Sequence, residues 1–198
     1  SSTYASKIFR QYGNQSIQVV QENPYRLATD IFGIGFLTAD KIAMKLGFTK
    51  DSDLRAQAGI LYVLHQFADE GHVYYPYELL IEASGKILEV DRQIIVNALE
   101  TIAFEQRIII EELESIPANT DNKAVYLKKF HISEASIASR LKAIHSFEKN
   151  IREIQPEKAL EWVQKKLSIE YAEKQKEAIA KAVESKVMVL TGGPGTGK

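Results

Sequence analysis

The sequence predicts a mainly helical protein that contains one small α+β unit. Three observations support this class. Apolar residues recur every three or four positions along most of the 198 residues, which is the period of amphipathic helices. Glycine and proline separate these periodic segments. Two short apolar runs, within residues 107–113 and 123–130, are joined by a polar turn that contains proline and asparagine, and they indicate a pair of strands.

Composition limits the classes of function. The chain has no cysteine, which excludes disulfides and thiolate metal sites and favours an intracellular, cytoplasmic setting. No apolar run approaches the roughly 20 residues that a membrane span needs. Lys+Arg and Asp+Glu number six and three in residues 1–50, four and thirteen in 51–115, and fifteen and ten in 116–198. The basic ends therefore suit nucleic acid better than the acidic middle does.

The first 50 residues have the pattern of short helices joined by tight turns. Residues 3–12 have a helical period, and Ser16 can cap a second helix that ends before Pro24. Pro24 suits the first turn of a third helix. Residues 30–36 then read Asp-Ile-Phe-Gly-Ile-Gly-Phe, and a further helix ends at Gly47. Two helices joined by Gly-x-Gly form the helix-hairpin-helix pattern, which is typical of proteins that bind DNA without sequence specificity.

The hairpin itself supplies the predicted binding residues. Gly33 and Gly35 let the backbone approach a phosphate closely, and Ile34 anchors the turn in the core. Thr38 and Lys41 add a hydroxyl and a charge near the positive end of the following helix. The alternative is a glycine-rich turn between two packed helices that binds no ligand.

An internal repeat with an offset of 34 residues supports the binding interpretation. The matched pairs are Ala5 with Ala39, Lys7 with Lys41, Ile8 with Ile42, Tyr12 with Leu46, and Gly13 with Gly47. This repeat predicts two tandem helix-hairpin-helix units. Because the chain starts at Ser1 without methionine, we expect the first hairpin to precede it.

Residues 51–130 have the order helix, strand, helix, helix, strand, strand, which resembles a winged helix. The sequence places the end of the second of these helices at Gly85. The third helix, 91–106, would be the one that reads DNA, but it carries three acidic residues and one arginine. This charge is a poor match for phosphates. We therefore expect packing or a protein partner here rather than DNA.

The last third of the chain is predicted to be helical until a final glycine-rich loop. Ser133 is the expected cap of a long helix, and Pro156 starts another. The four histidines have no metal-ligand spacing, so no metal site is predicted.

Residues 187–190 form an apolar run that suits a strand. A phosphate-binding loop pattern, G-x-x-x-x-G-K, follows, with Gly192, Gly197 and Lys198 at its fixed positions. The alternative is a flexible glycine-rich tail.

Together these segments resemble the RecD-like ATP-dependent DNA helicases of superfamily 1. The matching segments are Asn23-Pro24-Tyr25-Arg26-Leu27, Gly33-Ile34-Gly35-Phe36, Thr38-Ala39-Asp40-Lys41-Ile42-Ala43, Ala58-Gly59-Ile60, Gly71-His72-Val73-Tyr74 and Leu190-Thr191-Gly192-Gly193-Pro194-Gly195-Thr196-Gly197-Lys198. The resemblance implies an ATP-driven 5′→3′ helicase that uses ATP and Mg²⁺.

The resemblance also assigns roles in nucleotide binding. Gln175 matches a glutamine that contacts adenine in such helicases, and Lys198 would hold the terminal phosphate. Gly192, Gly193, Pro194, Gly195, Thr196 and Gly197 would form the loop around the phosphates. The Mg²⁺ ligands and the rest of the motor would lie beyond residue 198. We therefore expect this chain by itself to bind no ATP and to be inactive as an enzyme.

The sequence thus predicts a mainly α chain with four parts. These are a tandem helix-hairpin-helix region (1–50), a winged-helix-like α+β unit (51–130), a helical linker (131–170) and the first strand of a P-loop motor domain (171–198). The expected function is that of a DNA-binding accessory region of a helicase, with DNA contacted through its phosphates. The alternative is a scaffold that binds protein partners through its acidic middle.

Overall fold

The computed structural model of the chain describes residues 2–113, 122–148 and 154–195. In chain order, the helices are α1 (Ser2–Tyr12), α2 (Ser16–Glu22), α3 (Arg26–Asp30), α4 (Phe36–Lys45), α5 (Asp53–Asp69), α6 (Tyr77–Leu88), α7 (Arg92–Phe104), α8 (Lys128–Ser146), α9 (Pro156–Leu167) and α10 (Glu173–Glu184). The strands are β1 (Tyr74–Pro76), β2 (Ile108–Glu112) and β3 (Lys123–Leu127). The chain divides into two compact units, residues 1–133 and 134–198.

The first unit begins with four short helices that surround an apolar centre. One 3-10 turn, Gly13–Gln15, joins α1 to α2, and α3 packs against α4. Leu27, Ala39 and Ala43 are fully buried on the facing sides of α3 and α4. Helices this short are marginal alone, so this packing is what holds them in place.

The second half of this unit is a three-stranded antiparallel sheet covered by α5, α6 and α7. The strand order is β1-β3-β2, with Tyr74 opposite Tyr126 and Ile110 opposite Val125. The sheet and helices share one core, whose fully buried members include Ile60, Leu80, Leu99 and Val125. The order helix, strand, helix, helix, strand, strand over residues 53–127 is the order that the sequence predicts.

One glycine sets how closely α5 and α6 approach. Gly59 is buried on α5, and a Cβ atom there would lie 2.4 Å from Cδ2 of Leu88. A methyl group there would require the side chain of Leu88, which is buried at the end of α6, to move. The close contact explains why glycine is used in the middle of a helix, where it is otherwise unfavourable.

A buried ion pair connects the short helices to the sheet-bearing half. Arg55 on α5 is 7% exposed, and its Nε and Nη2 atoms donate to the two carboxylate oxygens of Asp40 on α4, at 2.9 and 3.2 Å. Its Nη1 donates to the backbone carbonyls of Lys50 and Leu88. The Tyr25 hydroxyl donates to Asp40 at 2.8 Å. The Arg55 guanidinium therefore connects three segments of the chain, which are α4 through Asp40, the loop at Lys50 and the end of α6 at Leu88.

The structure corrects two predicted boundaries. Helix α6 passes through Gly85 and ends at Leu88, after which Glu89 adopts the left-handed conformation (φ 55°).

The prediction that Ser133 caps a helix is also wrong. Helix α8 begins at Lys128, directly after β3, and the Ser133 hydroxyl donates to the carbonyl of Lys129 inside the helix. Serine can bond to its own helix in this way, so a serine alone does not fix a helix start.

In the second unit, the structure describes α8 from Glu134 onward, α9 and α10. Helices α9 and α10 pack together, and the side-chain carbonyl of Gln164 accepts a hydrogen bond from the backbone N–H of Tyr171 at 2.9 Å. The predicted strand at residues 187–190 is not formed. A strand needs a neighbour for its backbone hydrogen bonds, and the described residues of this unit contain no other strand. Within the described ranges, no helix has the length and apolar character required to cross a membrane.

We predict that replacing Arg55 with alanine destabilises the first unit strongly. The change leaves the Asp40 carboxylate and two backbone carbonyls without their cationic donor. Breaking a buried ion pair in this way costs about 3–5 kcal/mol. Urea unfolding of the two proteins would measure the difference.

The matched control is Lys86→Gln. Its partner Glu82 is exposed, as Lys86 is, and the two charged atoms lie 3.8 Å apart. Exposed pairs of this kind contribute little, so the unfolding midpoint should not move. Equal midpoints for all three proteins would contradict the structural role assigned to Arg55.

Candidate nucleic-acid interface

The turn between α3 and α4 is a tight hairpin whose backbone reaches the surface. The Ile34 N–H donates to the carbonyl of Ile31 at 3.1 Å, which closes the turn. Gly33 has φ +85°, a conformation that glycine adopts without strain. Ile34 is only 2% exposed and anchors the hairpin in the core. The two glycines on either side of it are exposed.

The hairpin leads directly into the N-terminus of α4. Gly35 is the capping residue, and its carbonyl accepts from the N–H groups of Thr38 and Ala39, both at 3.1 Å. No side chain caps this helix end. The first N–H groups of a helix have no partner in a preceding turn, so those of Phe36 and Leu37 are suited to an anion.

Thr38 and Lys41 lie on the first two turns of α4, close in sequence to this helix end. Lys41 is exposed, whereas Thr38 is half-buried. Gly33, Ile34, Gly35, Thr38 and Lys41 thus belong to one hairpin and the helix that follows it. Whether each of them contacts DNA stays a prediction.

The structure adds two residues that the sequence analysis did not select. Lys7 on α1 donates from Nζ to the carbonyl of Phe32 at 3.1 Å, and a Cβ atom on Gly33 would lie 2.9 Å from that Nζ. Phe32 is 99% exposed at the tip of the hairpin. The repeat paired Lys7 with Lys41, which is a signal that could have identified it. No sequence signal distinguishes Phe32, because its apolar neighbours Ile31 and Ile34 are core residues.

Both aspartates near the hairpin are neutralised by partners. Asp30 accepts hydrogen bonds from the Tyr12 hydroxyl at 2.8 Å and from Arg26 at 3.1 Å. Asp40 accepts from Arg55 and Tyr25. Burial of Tyr12, together with the Asp30 carboxylate, raises the pKa of its hydroxyl to about 12. Burial, with Asp40 beside it, raises the pKa of Tyr25 as well. Neither of these two carboxylates therefore presents an uncompensated charge to an approaching phosphate.

The predicted nucleotide-binding residues are only partly described. Gly192, Gly193, Pro194 and Gly195 are exposed. The side-chain carbonyl of Gln175 accepts from the backbone N–H of Ala172 at 3.0 Å and so caps α10. Thr196, Gly197 and Lys198 lie outside the described residues. Nucleotide binding by this loop and by Gln175 therefore stays a prediction.

The acidic half of the first unit has a different surface. Arg92, the one basic residue at the start of α7, donates to both carboxylate oxygens of Glu78, at 2.7 and 3.0 Å. Glu111 and Glu112 at the end of β2 are exposed. Over the described residues, no group of three or more histidine and acidic side chains is placed to hold a metal ion.

The chain is similar in sequence to known proteins. The family model described as the ATP-dependent RecD2 DNA helicase HHH domain matches residues 1–74. These residues include the hairpin and α1 to α5. The ATP-dependent RecD2 DNA helicase of Deinococcus radiodurans is 25% identical over 202 aligned positions, which cover 98% of this chain and 27% of the relative.

The chain spans about a quarter of the length of that curated relative. The family match rests on the part of the structure that holds the hairpin, and the similarity to the helicase extends along nearly the whole chain. Residues 1–74 therefore match the helix-hairpin-helix domain of RecD2 helicases, and nearly the whole chain is similar in sequence to a quarter of one such helicase.

Proposed function

We propose that this chain binds DNA through the hairpin of residues 31–35 and serves as the DNA-binding accessory region of a RecD2-type helicase. The observation that carries the proposal is the exposed turn at Gly33 and Gly35, which leads into an uncapped helix N-terminus with Lys7 beside it. Phosphate oxygens accept hydrogen bonds from backbone N–H groups and from lysine.

The mode of binding follows from these donors. Backbone amides and lysine contact phosphates, which are the same at every base pair, so the binding is indifferent to sequence. The exposed ring of Phe32 adds a surface on which an unpaired base stacks. Single-stranded or junction DNA is therefore preferred over a plain duplex.

A winged-helix-like role in protein binding is a second candidate for residues 53–127. Phe104, the last residue of α7, is 90% exposed and is followed by the exposed Glu105. An exposed apolar ring in an acidic segment favours a protein surface over a nucleic acid, because the net negative charge of residues 51–115 repels phosphates. This surface and the hairpin lie on different elements, so the two functions are compatible.

We also infer that ATP and Mg²⁺ bind only in a longer chain, in which neighbouring strands pair with residues 187–190. Val189 is 85% exposed and Leu190 is 52% exposed, whereas the strands of a parallel sheet are buried on both faces. Equilibrium dialysis with labelled ATP should detect no binding to this chain. A longer chain should bind ATP and lose binding after Lys198→Ala; tight binding by the present chain would overturn the inference.

We predict that Gly35→Ala weakens DNA binding without unfolding the protein. Gly35 has φ −90°, and a Cβ atom there meets nothing within 4 Å, so the fold accepts alanine. The added methyl group prevents a phosphate from approaching the hairpin amides. Loss of one charged hydrogen bond lowers affinity about tenfold. Fluorescence anisotropy with labelled single-stranded DNA across a salt series measures this change.

The matched control is Gly85→Ala in the interior of α6. A Cβ atom there would make an ordinary contact of 3.5 Å with the carbonyl of Val90. This variant should keep the wild-type affinity for DNA. If the wild-type chain fails to bind at low salt, or if the two variants bind equally well, the hairpin is not the DNA site.

We predict that Phe32→Ala also weakens binding to single-stranded DNA. Stacking of one base on an aromatic ring contributes about 1–3 kcal/mol, and the loss should not depend on salt. Because Phe32 is 99% exposed, the unfolding temperature should stay unchanged.

Phe104→Ala is the control for the Phe32 change, since it removes a similarly exposed ring from the acidic surface. It should leave DNA affinity as it is. An equal loss from both variants would show that exposed phenylalanines act non-specifically, and no loss from Phe32→Ala would remove stacking from the proposal.

A further inference from the structure

A groove of about 950 Å³ in the first unit extends beyond the proposed hairpin site. Its walls come from α3, the start of α4, α5, the segment that leads into β2, and the residues where β3 passes into α8. Gly35 belongs to its lining, so the groove opens at the hairpin. All of these residues lie in one compact unit.

The charge of the groove is positive. Arg26, Arg107, Lys128 and Lys129 line it, and Asp30 is the one acidic residue among the described residues of its lining. Asp30 is already paired with Arg26 at 3.1 Å. Glu105, outside the lining, lies 3.5 Å from Arg107. The lysine pair thus gives the groove a net positive charge, although the segment 51–115 is acidic as a whole.

The two lysines differ in their surroundings. Lys128 is half-buried and donates to the side-chain carbonyl of Gln106 at 3.1 Å. Lys129 is exposed, and its Nζ lies 4.9 Å from the centre of the Phe130 ring. Both follow β3 directly, which fixes their backbone at the groove.

The wall formed by α5 is aromatic and polar. Tyr62 is half-buried and stacks on Phe36, with ring centres 5.1 Å apart. His65 keeps an exposed edge, but partial burial and then the charge of Lys129 lower its pKa. This lowered pKa favours the neutral form of His65, and its imidazole offers a flat ring to the groove. Gln57 adds an amide to the same wall.

We propose that this groove holds a single nucleic-acid strand that continues from the hairpin, with a base against Tyr62 and His65 and phosphates at Lys128 and Lys129. Lysines beside flat rings are the combination that binds single strands without sequence preference. An acidic peptide would use the lysines but would leave the rings without stacking partners. The inference rests on the proposed function, since the strand enters from the hairpin.

The test is the salt dependence of single-stranded DNA binding by the whole chain. The probe is labelled oligothymidylate. For single strands, the slope of log affinity against log salt falls by about 0.7 for each phosphate that the protein no longer neutralises. The double variant Lys128→Gln with Lys129→Gln should therefore reduce the slope by about 1.4, and Lys129→Gln alone by about half of that.

The control is the double variant Lys50→Gln with Lys86→Gln. Both lysines are exposed, lie in the same unit and line no part of the groove. This variant should keep the wild-type slope. Thermal unfolding of every variant checks that the fold is intact, and the single change at exposed Lys129 serves if the double change lowers stability.

The outcomes separate this inference from the function on which it rests. If the wild-type chain binds no oligothymidylate, the proposed function fails and the groove proposal fails with it. If Phe32→Ala weakens binding but the lysine variants keep the wild-type slope, only the groove proposal is overturned. Binding of poly-glutamate that depends on Lys128 and Lys129, without binding of oligothymidylate, would assign the groove to an acidic protein partner instead.

Discussion

The ion pair between Asp40 and Arg55 is the interaction on which the arrangement of the first unit depends. It joins α4, which follows the hairpin, to α5, which packs on the sheet. Arg55 is buried, so its charge is tolerated only because Asp40 and two carbonyls satisfy it. The same pair removes the negative charge of Asp40 from the neighbourhood of the hairpin. A stabilising contact and a DNA-compatible surface thus come from one interaction.

This constraint also explains the position of the groove. Because α4 is fixed against α5, the start of α4 faces the aromatic residues of α5, and Phe36 stacks between Tyr25 and Tyr62. The β3–α8 junction then supplies Lys128 and Lys129 from a segment much later in the sequence. The hairpin and the groove are therefore consequences of the same packing, although their charged residues come from distant parts of the chain.

The unit also separates its two electrostatic surfaces. The start of α7 has its arginine paired with Glu78, and the end of β2 presents carboxylates. These surfaces repel phosphate, whereas the hairpin and groove attract it. In the proposed function, a strand lies on the hairpin and groove, and the acidic surface is left for protein contacts. The similarity to RecD2 helicases is consistent with such a role, since the family match covers the hairpin-bearing residues 1–74.

The sequence by itself determined the helical class, the hairpin and the order of elements around the sheet, because these depend on local periodicity and on glycine. It also indicated the relationship to RecD-like helicases. Tertiary structure decided the rest. Gly85 does not end α6, since burial of Leu88 against α5 keeps the helix going. Residues 187–190 form no strand, since a strand depends on a partner. Phe32 and Lys129 became candidate binding residues only through exposure and long-range packing, which no local pattern encodes.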